Sequence, residues 1–66
     1  TIRGRLLTYL SAQSMKAGSS TFDIPFNRQQ LADYLSVDRS AMTVELGKLK
    51  KEGIIEFQKN VFTLNR

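Results

Sequence analysis

The sequence predicts an α+β fold with three helices, one short strand after the first helix, and a C-terminal β-hairpin. Three observations predict it. Apolar residues recur at helical spacing in three separate segments, 2–16, 28–35 and 39–52. Each segment ends in a stop signal: Gly18, the Ser36-Val37-Asp38 break, and Gly53. After the last stop, two β-prone runs (Ile54-Ile55-Glu56-Phe57 and Val61-Phe62-Thr63-Leu64) flank a short polar loop, Gln58-Lys59-Asn60.

The first helix, residues 2–16, carries Ile2, Leu6, Tyr9, Leu10 and, less regularly, Met15 on its apolar side. Arg3 and Arg5 fall on the other side and read as surface charge. Thr21-Phe22-Asp23-Ile24-Pro25 alternates apolar and polar and predicts a strand over 21–25, closed by a proline that cannot donate to a ladder. Asn27 is a good N-cap, with Gln30 at the reciprocal capping-box position, so the next helix is expected over 28–35. Leu31, Tyr34 and Leu35 supply its buried face. Asp38 is a second N-cap, and the third helix is expected over 39–52 with Met42, Leu46 and Leu49 turned inward. The hairpin is expected over 54–64, with Asn60 taking the left-handed backbone that a tight loop needs. Gly47 lies inside the third helix at a cost of about 1 kcal/mol relative to Ala, which predicts a close packing contact there.

Composition narrows the function. The chain has 66 residues, 41% of them hydrophobic and 24% charged, which fits one folded domain, 1–66, with a small core. It holds neither Cys nor His. The thiolate nucleophile, the imidazole base and the two commonest zinc ligands are therefore missing together. Among the acidic residues, Glu45 and Glu52 share one helix but have no base, nucleophile or metal partner in the sequence. The four glycines are isolated, so no phosphate-cradling loop is present. No enzyme activity and no cofactor are expected in this domain, and no metal site. No run is long and apolar enough to span a membrane, no signal peptide is visible, and a cytoplasmic location is expected. The chain starts at Thr1 rather than Met, which predicts a piece of a longer or processed product.

Ten Lys and Arg against six Asp and Glu give a net charge of +4, compatible with a polyanionic partner. The arrangement sharpens this. Two helices joined by about three residues, the second opened by Asp38, make a helix-turn-helix, and the hairpin behind it makes a wing. Burying Leu31, Leu35, Val37, Met42 and Leu46 together requires a steep crossing of the two helices. The outward face of the third helix, Arg39, Ser40, Thr43 and Val44, is then free to meet double-stranded DNA. Arg39 lies in the first turn, where an arginine can bond a guanine edge at two points.

The segment from Phe26 to Phe57 resembles the C-terminal DNA-binding domain of the Crp/Fnr family of bacterial transcription regulators. The resemblance rests on Asn27-Arg28-Gln29, on Val37-Asp38-Arg39-Ser40, and on Leu46-Gly47-Lys48-Leu49-Lys50-Lys51-Glu52-Gly53-Ile54-Ile55. It implies a winged helix-turn-helix with Arg39 and Ser40 at base-contacting positions. Thr43 and Val44 follow on the same helical face. The resemblance further implies backbone contacts from Asn27, Arg28 and Gln29 and from the wing tip Gln58, Lys59 and Asn60. Asp38 is expected at the backbone as well, since the free N–H groups of the helix start can hold a phosphate. Val44 departs from the family, many members of which carry a second DNA-reading arginine there; a valine can touch a thymine methyl instead. An effector-sensing β-barrel and a dimerisation helix commonly precede this module. The resemblance thus implies RNA polymerase and a homodimer partner as contacts of the full-length protein.

Each feature also has a structural reading. The inner stripe of the third helix is core, Lys48, Lys50 and Lys51 read as a solvated face with nonspecific attraction to DNA, and Tyr9 and Tyr34 read as half-buried packing. The alternative function is a winged-helix protein-interaction module, suggested by apolar Val44 and the modest charge. Single-strand or RNA binding ranks last, since most of the aromatics fall at core spacing.

Overall fold

The computed structural model describes residues 1–65. The element order is α1 (Ile2–Ala17), β1 (Thr21–Asp23), α2 (Arg28–Leu35), α3 (Arg39–Lys51), β2 (Ile55–Gln58) and β3 (Val61–Leu64). The three strands form one antiparallel sheet in the order β1-β3-β2. This is the expected α+β winged helix-turn-helix, with small shifts in the element ends. The first helix runs one residue further, to Ala17. The third stops at Lys51 rather than 52.

The strand expected over 21–25 is only Thr21–Asp23. Its partner β3 begins at Val61, opposite Asp23, so the ladder has no further residue to pair. One bond continues beyond it, from the Ile24 N–H to the Asn60 carbonyl at 2.9 Å. The hairpin expected over 54–64 begins at Ile55, because the Ile54 N–H is taken by Leu49 O at the end of α3. Its two-residue connection is Lys59-Asn60, and Lys59 rather than Asn60 carries the left-handed backbone, at φ 54°.

All three helices close in the same way. The residue after the last full turn, Gly18, Ser36 or Gly53, takes a positive φ, and its N–H and the next one return to carbonyls of the final turn. At Ser36 (φ 58°) this conformation falls on a side chain other than glycine. The left-handed backbone costs an L-residue roughly 1–2 kcal/mol, against which glycine gives back about 0.5–1 kcal/mol of chain entropy. Ser36→Gly is therefore expected to stabilise the domain by about 0.5–1 kcal/mol and Ser36→Val to destabilise it by at least about 1 kcal/mol. Urea melts of the two variants check this.

A single core joins the layers. Leu6 and Leu10 of α1, Leu31 of α2, Met42 and Leu49 of α3, and Ile55 and Phe62 of the sheet are fully buried. Tyr9 is more buried than expected, at 8% exposure. Tyr34, expected in the buried face of α2, is 63% exposed. In a helix of eight residues Leu31 and Ala32 fill the inward positions, and the Tyr34 ring lies outside on Tyr9 and Phe26, with centroids 5.5 and 5.1 Å away. Met15 is also exposed, because Ser14 is the inward residue of that turn and its hydroxyl donates to Ser19 O. A Cβ on Gly47 meets nothing within 4 Å, so the expected close packing contact is absent among the described residues.

Candidate nucleic-acid interface

The outward face of α3 is built from its first residue. Asp38, with extended backbone, accepts the Ala41 N–H at 2.9 Å and fixes where the helix begins. Met42, Leu46 and Leu49 then turn inward, which leaves Arg39, Ser40, Thr43 and Val44 exposed along one face. The Thr43 hydroxyl donates to Arg39 O at 3.0 Å, so toward solvent it offers acceptor lone pairs.

The two arginines of α1 read as surface charge from the sequence, and the structure corrects this. Arg3 bonds both carboxylate oxygens of Glu52, at 3.0 and 2.7 Å, and Glu45 at 3.1 Å, tying α1 to α3. Arg5 donates to Leu35 O at 2.9 Å and Ser36 O at 3.2 Å. Its charge thus sits on the carbonyl end of α2, where the helix dipole favours a cation. One helix thereby holds the turn of the helix-turn-helix and the far end of its second helix.

The Arg3 bond holds the Glu52 carboxyl below the usual carboxylate range. A depressed carboxyl contributes stability that is present above its unfolded value, about 4.3, and is lost as pH falls through the folded value. Stability is therefore expected to drop as the solution is acidified below about pH 4. Glu52→Gln is expected to flatten that drop. Denaturant melts at neutral and acid pH compare the two.

Two of the stretches expected on the DNA backbone, the start of α2 and the hairpin tip, are joined through Arg28. Asn27 caps α2 through its side chain, accepting from Gln30 N–H at 2.8 Å, while Gln30 accepts from Asn27 N–H at 2.9 Å. Gln29 donates to Asp33 at 3.0 Å. Arg28 is directed at the hairpin: its Nη2 donates to Lys59 O at 2.6 Å, and its guanidinium lies 5.3 and 4.9 Å from the ring centres of Phe57 and Phe62. Burial pushes the Arg28 guanidinium down from its ordinary value. Lys50 lies over the Phe57 ring as well, at 4.7 Å, which takes one of the three lysines at the end of α3 out of the freely solvated face. Gln58, Lys59 and Asn60 are exposed at the hairpin tip.

The chain matches the Crp-like helix-turn-helix domain over residues 4–66. It belongs to that family. The match runs from the first turn of α1 through the hairpin, so both the helix-turn-helix and the wing fall within it. The chain is also 34% identical over 41 residues to the transcriptional activator protein FnrL of Cereibacter sphaeroides. That stretch covers 62% of this chain and 16% of FnrL. No solved structure matches the chain. The Crp-like domain is accordingly a DNA-binding module of transcription regulators. No helix among the described residues is long and apolar enough to cross a membrane.

Proposed function

We propose that this Crp-like domain binds double-stranded DNA sequence-specifically, with α3 in the major groove and the β2–β3 hairpin lying as a wing on the backbone. One observation carries the reading. Arg3, Arg5 and Arg28 are all bonded within the protein. Arg39, in the first turn of α3, is exposed and makes no side-chain hydrogen bond or ion pair among the described residues. An arginine left free on a helix anchored at its base by core, cap and ion pairs is suited to grip a guanine O6 and N7 together.

Ser40 and Thr43 extend the reading face with hydroxyls, and Val44, 56% exposed, offers a methyl surface for thymine. Asn27 and Gln29 at the mouth of α2 and Gln58, Lys59 and Asn60 at the wing tip face phosphate, and Arg28, expected there from the sequence, stands between them bonded to Lys59 O. Asp38 contributes its main-chain N–H, since its carboxylate is occupied by the cap and repelled by phosphate. The full-length protein, in this reading, is a cytoplasmic bacterial regulator that binds as a homodimer and contacts RNA polymerase. One domain on one half-site then binds weakly, because the second half-site adds avidity.

Titration with mixed-sequence duplex at low salt, followed by selection of bound sites from a random duplex pool, tests the proposal. The expected result is binding whose log K falls linearly with log salt, together with enrichment of one short motif. A second reading, a protein-docking winged helix, is favoured by the exposure of Val44 and Tyr34. Absence of binding to any duplex would favour docking.

A further inference from the structure

Within this DNA-binding reading, we infer that Arg28 is a positioning residue: it locks the wing tip to the first turn of α2 and so aligns the two backbone-facing stretches. The geometry supports this from both sides. The Arg28 main chain opens α2 and is fixed by the reciprocal Asn27–Gln30 cap. Its guanidinium reaches 31 residues along the chain to Lys59 O and rests against Phe57 and Phe62, whose rings pack 5.5 Å apart. The next carbonyl, Asn60 O, is held by the Ile24 N–H just before α2. Two consecutive carbonyls of the hairpin turn are therefore tied to the segment that leads into the helix-turn-helix. The turn they hold contains Lys59 in a left-handed backbone, a conformation disfavoured for lysine unless its surroundings enforce it.

Strand β2 is an edge strand, paired on one side alone. The last paired residues of the hairpin are Gln58 and Val61, and beyond them, among the described residues, the Arg28 and Ile24 bonds fix the tip. Arginine suits the task because its planar fork donates from the edge while its face lies on aromatic rings; a lysine offers a point charge without that combination. Arg28 thus acts on phosphate chiefly through Lys59, whose position it sets.

Amide hydrogen exchange of the DNA-free domain, followed by NMR, reads the lock directly. Arg28→Ala is expected to speed exchange across residues 58–61 at least tenfold while the amides of Leu10 and Met42 are unchanged. Phe57→Leu keeps the Arg28 charge but removes part of its platform, and is expected to loosen the same segment even if Arg28→Ala fails to fold. Unchanged wing exchange in a folded variant overturns the lock.

On DNA, Lys59→Ala is expected to lower the salt-dependence slope by about 0.9. Adding Arg28→Ala to it should lower the slope no further, whereas a second full decrement would make Arg28 an independent phosphate contact and overturn the positioning role. The exchange measurement contains no DNA. If wild-type protein bound no duplex, the DNA-binding reading would fall and the exchange result would still decide the lock.

Discussion

Phe62→Ala is expected to remove a large part of the domain's stability. Phe62 is fully buried in the central strand of the sheet, opposite Phe22 on one side and Phe57 on the other. Its ring also supports the Arg28 guanidinium at 4.9 Å. Truncating a buried phenylalanine costs about 3–5 kcal/mol, since the transfer energy of the ring is lost and the surrounding structure collapses only partly into the cavity. The stability typical of chains this size is roughly 3–10 kcal/mol, from about 0.05–0.15 kcal/mol per residue. A single core residue therefore commands a large part of the total. Circular dichroism and urea titration check it: the variant should show a lost or strongly shifted transition, while Val61→Ala, at an exposed neighbouring site, should melt close to wild type.

What could be read in the sequence and what could not divides along distance in the chain. Caps and stops are local, and Asn27 with Gln30, Asp38 with Ala41, and Gly53 after α3 all follow from residue types a few positions apart. The inward stripe Met42, Leu46, Leu49 is equally local, because helical period alone places it. Tyr34 misled because period identifies a face without saying how wide it is; α2 is too short to bury more than its central stripe. Ser36 and Lys59 hold left-handed backbone where the composition of the turn suggested other residues or none. Both residues are exposed, and both turns are held by hydrogen bonds, Ser36 N–H to Asp33 O and Arg28 to Lys59 O, rather than by residue preference.

The arginines were the least legible part of the candidate interface. Arg3, Arg5 and Arg28 act on partners 30 to 49 positions away, and nothing in the local sequence distinguishes them from solvated charge. Only the fold shows that three of the basic residues hold the scaffold and that Arg39 is left over. The net charge of +4 therefore overstates the positive surface available to a polyanion. Attraction to DNA then depends more on where Arg39, Lys59 and the exposed lysines of α3 are held than on total charge.

That division of labour makes Arg39 the decisive substitution for recognition. Arg39→Ala should leave folding unchanged, because the side chain is exposed and the Asp38 cap and Thr43 bond both engage main-chain atoms. On DNA it is expected to relax the preference at one base pair by about 1–3 kcal/mol, the worth of a bidentate contact to guanine. At sites where that pair is already mismatched the variant should bind nearly as wild type does. Lys59→Ala is expected to behave oppositely, weakening every sequence alike. Binding curves on the selected site and its single-base variants separate the two. Equal loss on all sequences from Arg39→Ala would assign it to phosphate and sink the base-reading role. Val44 supplies the converse measurement: Val44→Arg adds a donor one turn along the same exposed face, and a groove-bound α3 should then acquire a new guanine preference a few base pairs from the one read by Arg39. If α3 is instead a protein-docking surface, the added charge should change no base preference at all.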